Sequence, residues 1–367
     1  MNHLGYILLT NSLAAACVVF AIIFVTLPMP QRKGLKSYRI SLRFLFVAYT
    51  MSALIAVCDK ILVNVLSMIF LSMCSFLILL FSIALINLLH PERVTRKFVV
   101  LHVFPLLLVN IIYWLMAMRL GNPILASMSL FLGNLFHPQV IIRIMTWMAC
   151  VVQLVYFASI FQKEAISYKT RLDEYFSENY QLNLPWVRFC YYGVISIGVY
   201  ALVIALLPSP LVLIVFFLVL TLFFIVFGVC YIQYPRTYVK IESVLQPMTQ
   251  VTDPAPKHRY VWPDLKEQII MHKYYTTSGI NIEEIAQIFN IGRTTLSNFI
   301  NKEEGMNFNA WINSLRVEEA MRLFRESPQF TITQISEMVG YSEPSNFSRQ
   351  FKNVTGHSPS AWVRNKQ

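Results

Sequence analysis

The 367-residue chain is 56% hydrophobic and only 13% charged, whereas soluble globular proteins average about a quarter charged residues; an ordinary soluble protein is excluded. The net charge of +11 is not in itself a nucleic-acid signal, because residues 1–255 carry +9 of it and residues 256–367 only +2. The length accommodates two domains.

Seven apolar stretches, 6–28, 40–58, 61–89, 98–118, 138–161, 189–207 and 210–233, each approach the roughly 20 residues that a helix needs to cross a bilayer. The first is not expected to be a cleaved signal peptide: no Lys or Arg precedes the apolar run, and the basic cluster follows it. Positive charge alternates between loops. Arg32, Lys33, Lys36 and Arg39 follow the first stretch, Arg93, Arg96 and Lys97 the third, and Lys163, Lys169, Arg171 and Arg188 the fifth. The intervening loops hold little more than Lys60, Arg119 and "PSP". Cytoplasmic loops collect Lys and Arg, so the N-terminus is expected outside a bacterial inner membrane and the C-terminus in the cytoplasm. Segment 121–136 is apolar but short between its breakers, and is expected to lie on the outer face or re-enter rather than span.

The six cysteines, Cys17, Cys58, Cys74, Cys150, Cys190 and Cys230, sit in or beside apolar runs without metal-ligand spacing, as small membrane hydrophobes do. No catalytic constellation, metal site or cofactor motif is visible, so neither an enzyme nor a bound cofactor is expected. Arg143, with Trp147 one turn further on, is the candidate for membrane sensing, since an intramembrane Arg is a functional hypothesis by default; the favoured alternative has it reach the outer headgroups. Asp59 is its candidate partner. Residues 162–188 mix charges with Tyr, Phe and Trp, which favours an interfacial amphipathic helix over a contact surface for the C-terminal domain.

Beyond Tyr234 the composition shifts, and Pro247, Pro254, Pro256 and Pro263 mark a linker. About 28 flexible residues span roughly 30 Å. From Asp264 the apolar period is that of short helices. Leu265, Ile269 and Ile270 mark the first. "NIEEIAQIF" starts with a capping-box pair, Asn281 and Glu284, and aligns Ile282, Ile285, Ala286 and Phe289 on one face. "NIG" reads as a tight turn at Gly292, and "RTTLSNFI" as a helix burying Leu296, Phe299 and Ile300. This is a helix-turn-helix pattern. Fifty residues on, "TITQISEMVGYSEPSNFSRQFK" repeats it: Thr331 and Gln334 replay the cap, Ile332 and Ile335 the apolar face, Ser336 replaces Ala286, and Gly340 replaces Asn290. An amphipathic helix with Trp311, Leu315, Ala320 and Leu323 joins the two units.

These stretches, with "GMNFNAWINSLRVEEAMRLF" and the closing Gly356, Ser358 and Pro359, resemble the AraC/XylS-type DNA-binding domain over residues 262–367. Ser336 stands where that family usually has Ala, and Gly292 where it often has Ser. Residues 1–233 do not resemble the family's usual effector domain, so its sugar binding does not carry over. The expected fold is all-α: a polytopic seven-helix transmembrane bundle (1–233), a linker (234–261) and a cytoplasmic double helix-turn-helix domain of homeodomain-like units (262–367).

The positions off the apolar faces are Arg293, Thr294, Ser297 and Asn298 in the first reading helix, and Ser345, Asn346, Ser348, Arg349 and Lys352 in the second. The resemblance implies base-facing roles for Thr294, Ser297, Asn298, Ser345, Asn346 and Arg349. Arg pairs with guanine and Asn with adenine in the major groove, while Lys302 and Lys352 suit phosphates. Phe347 and Phe351 are expected in the core. The leading expectation is a membrane-bound one-component transcription regulator that binds double-stranded promoter DNA and responds to a membrane signal or small ligand. Membrane lipid, RNA polymerase and a second copy of the chain are the further candidate partners. The alternatives are a passive or proteolytically released anchor and, more weakly, a transporter with an accessory DNA-binding domain. Activation rather than repression is implied only by the resemblance.

Overall fold

The computed structural model describes residues 3–27, 36–57, 65–178, 184–207, 210–245 and 261–366. These are helices and connections, with an isolated antiparallel bridge between Phe176 and Asn281. The chain divides into two units, one running to Ile166 and resuming over Leu184–Leu245, the other combining Ser167–Asn183 with Gln246 onward. Sequence alone placed the division at residue 233 and assigned 167–183 to the first part.

The first unit contains α1 (His3–Thr26), α2 (Lys36–Val57), α3 (Met68–Leu89), α4 (Arg96–Leu120), α5 (Met128–Gly133), the first part of α6 (Pro138–Tyr175), α7 (Pro185–Leu206) and α8 (Pro210–Leu245). All but α5 are long and apolar enough to cross a membrane. Segment 121–136 contains only the six-residue α5 and irregular chain, too short to span. α3 is the most enclosed helix, whereas α4 leaves Val100, Leu101, Phe104, Leu115 and Met118 exposed. Buried interhelical hydrogen bonds accompany the apolar packing. Tyr38 donates to the carbonyl of Tyr231 at 2.7 Å, Tyr49 to that of Phe224 at 2.7 Å, and the Asn87 amide to Ser41 Oγ at 2.7 Å. Asp59 and Cys58 lie outside the described residues.

α6 is 38 residues long, about 57 Å at 1.5 Å per residue against roughly 30 Å of bilayer hydrocarbon. It is therefore longer than a membrane crossing needs. Glu164, 3% exposed, accepts from Arg93 and pairs with His90 Nδ1 at 2.6 Å. From Ser167 on, the helix belongs to the second unit. The interfacial surface helix expected over 162–188 is thus replaced, up to Glu178, by the other alternative: a surface that contacts the C-terminal domain. α8 likewise runs on as helix to Leu245, so the expected linker begins later than 234; residues 246–260 lie outside the described residues.

The second unit is built from α9 (Trp262–Met271), α10 (Ile282–Ile288), α11 (Arg293–Phe299), α12 (Phe308–Glu326), α13 (Ile332–Met338), α14 (Pro344–Thr355) and α15 (Pro359–Lys366), together with the end of α6. A π-helical turn at Ile300–Glu304 extends α11. The repeat seen in sequence is a repeat in geometry. α10 and α13 both start with a complete capping box, Asn281 with Glu284 and Thr331 with Gln334. Both stop in the same way: Asn290 N–H bonds to Gln287 and Ile291 N–H to Ala286, as Gly340 N–H bonds to Glu337 and Tyr341 N–H to Ser336. This is a Schellman stop, which needs a left-handed residue. That residue is Asn290 (φ 51°) in the first unit and Gly340 (φ 94°) in the second. Gly292, expected as the tight turn, is instead the extended N-cap of α11 at φ −71°.

Gly340 is also held by its neighbours: a Cβ there would lie 2.3 Å from the Thr276 carbonyl oxygen. Gly340→Ala combines that backbone clash with left-handed strain and is expected to lower the opening free energy of α13 and α14 by about 2 kcal/mol or more. Asn290→Gly should change that of α10 and α11 by less than about 1 kcal/mol. Residue-resolved hydrogen exchange on the full chain checks both.

Candidate nucleic-acid interface

Each reading helix is oriented by an apolar face pressed into its own core. In the first, Leu296 and Ile300 are buried with Ile282, Ile285 and Ala286, and Trp262 stacks against Phe299 and packs on Trp311. In the second, Phe347 and Phe351 join Val317, Ala320, Ile335, Val339 and Tyr341, with Phe324 and Trp362 closing the cluster. Phe299 is only half-buried, unlike its expected place in the core. The repeat is not perfect. α11 starts three residues after Asn290, while α14 starts four residues after Gly340, so the second turn holds one extra residue, Ser342.

Thr294 and Asn298 are exposed on α11, and Arg293 and Ser297 are half-buried. On α14, Ser345, Arg349 and Lys352 are exposed and Ser348 is half-buried; Lys302 is exposed on the π-turn. Asn346 departs from its expected outward position. It is only 7% exposed, because it sits next to Phe347 on a flank that another part of the unit covers. Its carbonyl oxygen accepts from Arg349 Nη2 at 2.8 Å, fixing the direction of that guanidinium. The outward polar set is thus carried by two short helices on rigid, separately packed cores, a form suited to presenting side chains to a groove.

The helix between the heads, α12, locks them together with buried polar groups. Arg316 is 0% exposed and donates to the carbonyls of Tyr275 (2.6 Å) and Thr277 (2.9 Å). Its guanidinium lies 5.0 Å from the Tyr341 ring centre. Desolvation pulls its pKa below the usual arginine range, against the opposing pull of Tyr341 and Glu178. Tyr341, whose hydroxyl donates to Asn313 at 2.6 Å, is pushed above its ordinary value by burial. At the first head, Lys266 and Trp262 both donate to Glu304. Burial raises the Glu304 carboxyl, but these bonds outweigh it and leave the pKa lowered.

What covers Asn346 is the end of α6. Tyr175 donates to Glu283 Oε2 at 2.5 Å, and the Arg293 guanidinium lies 5.0 Å over its ring. The carbonyls of Phe176 and Ser177 accept from the Asn309 amide at 2.9 and 2.8 Å, and Ser177 bonds through both N–H and Oγ to the Ile280 carbonyl. The Glu178 carboxylate receives Ser342 Oγ at 2.7 Å, Ser342 N–H at 3.3 Å and the Asn346 amide at 3.3 Å, and it faces Arg316 Nη1 at 3.7 Å. Sequence reasoning did not single out Tyr175, Ser177, Glu178 or Ser342. The clue present was the density of aromatic and acidic residues in "LDEYFSE".

In the first unit, Arg143 does not reach outward to headgroups. It is 2% exposed, donating to Tyr113 Oη (2.9 Å), Asn122 Oδ1 (2.5 Å) and the Pro123 carbonyl (3.1 Å). Trp147 instead donates to the Leu202 carbonyl at 3.1 Å and packs with Ile78, Cys150 and Leu154. The two expected members of a sensing pair therefore have separate partners.

A helix-turn-helix domain family matches residues 285–365. The Msm operon regulatory protein of Streptococcus mutans is 32% identical over 98 residues, covering 27% of this chain and 34% of that protein. The HTH-type transcriptional regulator RipA of Corynebacterium diphtheriae is 39% identical over 89 residues, 24% of this chain and 26% of that protein. The HTH-type transcriptional regulator YobQ of Bacillus subtilis is 30% identical over 103 residues, 26% of this chain and 42% of that protein. The chain therefore spans well under half the length of these relatives. No solved structure matches it significantly. The C-terminal part of the chain is an AraC-type helix-turn-helix domain, attached to a set of long apolar helices.

Glu319 on α12 joins this frame to the first head, accepting from Arg322 and, at 2.8 Å, from Lys273. The Arg322 bonds, then Lys273, outweigh burial and hold its carboxyl at about 2 instead of 4.5. A lowered pKa stabilises the fold above the unfolded value and loses that contribution as pH falls through the folded one. Protection of the α12 amides, measured by hydrogen exchange corrected for intrinsic rate, should fall between about pH 5 and pH 2. Glu319→Gln should be less stable at neutral pH and show a shallower acid limb.

Proposed function

We propose that the protein is a one-component transcription regulator of a bacterial inner membrane, which reads promoter DNA with two helix-turn-helix units and is controlled by a signal sensed in or across the bilayer. The observation that carries this reading is the duplicated unit. Two heads share a capping box and a Schellman stop, are joined by one rigid helix, and present short polar helix faces. The names of the matched relatives, an operon regulatory protein and transcriptional regulators, support the same class. The seven long apolar helices support membrane attachment, and the alternation of Lys and Arg between loops supports a cytoplasmic C-terminus.

In this reading Thr294, Ser297, Asn298, Ser345, Asn346 and Arg349 face bases, while Arg293, Ser348, Lys352 and Lys302 hold the backbone or flank the contact. Each head inserts its second helix into the major groove. With a net charge of only +2 over residues 256–367, counterion release contributes little non-specific affinity. Occupancy then depends on base contacts, on confinement at the membrane and on pairing of two chains. RNA polymerase and a small ligand or lipid signal complete the proposed partners, and no catalytic step is assigned.

Arg349→Ala should weaken binding to the selected promoter duplex by about 1–3 kcal/mol and relax selectivity at one base position, read by footprinting and competition with single-base variants. Uniform weakening on every duplex would contradict base reading. Replacing the seven spans with an unrelated anchor should abolish the promoter response in cells; an unchanged response would leave the membrane part a passive tether.

A further inference from the structure

We propose that Tyr175–Glu178 form an intramolecular strap that docks on the DNA-binding surface and must leave before the two heads can engage DNA; the proposal rests on the DNA-reading function above. Four consecutive residues touch both heads and the helix between them. Tyr175 takes Arg293 and Glu283, Ser177 takes Ile280 and Asn309, and Glu178 takes Ser342, Asn346 and Arg316. Within the second unit, this is a docking surface already occupied by a named segment of the chain.

The chemistry of the strap is that of a competitor for DNA. A carboxylate at Glu178 sits beside the N-terminus of the twelve-residue α14 and accepts the Ser342 N–H and hydroxyl. Backbone N–H groups and hydroxyls at such a helix start are donors that phosphate oxygens use. The same carboxylate holds the Asn346 amide, and Tyr175 covers the Arg293 guanidinium. Two polar groups assigned to DNA, one from each head, are therefore engaged by protein. Asp173, Glu174 and Glu178 also add three negative charges within six residues, which oppose an approaching phosphate backbone. The docked contacts join the Phe176 and Ser177 carbonyls, the Glu178 carboxylate and the buried Tyr175 ring to polar groups of the heads, and none of the four residues belongs to the apolar cluster of the second head. Because the strap continues α6, a change felt by that helix reaches the reading heads without a second messenger.

The test uses the full chain in lipid nanodiscs, with duplexes selected from random DNA in parallel by the wild type and by Glu178→Gln. The neutral amide removes the charge and two acceptor sites while keeping the shape. Glu178→Gln is expected to bind the selected duplex roughly tenfold tighter than wild type, the scale of a charge-assisted hydrogen bond. Tyr175→Leu, which spares the buried Arg316 pair, should act in the same direction. Hydrogen exchange should show the Ser177 amide, bonded to the Ile280 carbonyl at 3.2 Å, losing protection when wild type is saturated with duplex. Equal or weaker binding by both variants overturns the strap as an inhibitor and makes it a brace, as does a Ser177 amide that stays protected in the DNA complex. If neither wild type nor variant retains any duplex, the DNA-reading function itself falls, and the strap falls with it.

Discussion

Arg316 carries its guanidinium into the interior of the C-terminal unit, where it is fully buried. Burying a guanidinium costs several kcal/mol unless it is paired and hydrogen-bonded; here Nε and Nη2 donate to the carbonyls of Tyr275 and Thr277 on the segment before α10, and the ring of Tyr341 at the second turn and the carboxylate of Glu178 lie against the charge. Those groups come from three separated parts of the sequence. One side chain thus ties together the segment before α10, the second turn beside Gly340, and the chain after α6. The last donor, Nη1, has only the charge contact with Glu178 at 3.7 Å, beyond hydrogen-bond length. The departure of Glu178 therefore breaks no hydrogen bond to the arginine.

The all-helical architecture and the repeat were legible because they depend on signals that sequence carries openly. Long apolar runs give spans, and a polar cap with an amide or carboxylate three residues on gives a helix start. The match of Gly340 to Asn290 was legible too, since few residues accept a left-handed stop. The strap was not. Its key acceptors are the carbonyls of Phe176 and Ser177, and every residue has a carbonyl. A charged, aromatic stretch looks alike whether it meets water, headgroups or protein, so 162–188 supported two readings, of which the structure takes the second as far as Glu178. The cover over Asn346 was hidden for a related reason: position on a helix wheel gives an angle, but not what lies beyond it.

The two units solve burial in opposite ways. In the helices of the first, apolar side chains are abundant and face outward on α4 as readily as inward, so specificity falls to a few polar contacts such as Tyr38 to Tyr231, Asn87 to Ser41 and the Arg143 cluster with Tyr113 and Asn122. In the second, each head has a small aromatic or aliphatic core, and polar groups appear mainly where elements from distant sequence meet. Arg143 and Arg316 are alike in this respect: each is a buried cation that gathers carbonyl and side-chain acceptors from several turns of chain.

The uninterrupted run of α6 has a consequence for how this chain can vary. Within the second unit, Tyr168, Leu172 and Tyr175 lie four and three residues apart on this helix and are all buried, the spacing of one helix face. With Leu172 in its place, inserting one residue before Tyr175 would turn that ring by about 100° and carry it about 1.5 Å along the axis, away from Glu283 and Arg293. Spacing there is quantised by helical geometry, whereas an ordinary loop absorbs added residues one at a time. Among related chains that keep the Tyr175 contacts, the stretch from Leu172 to Tyr175 should not differ in length.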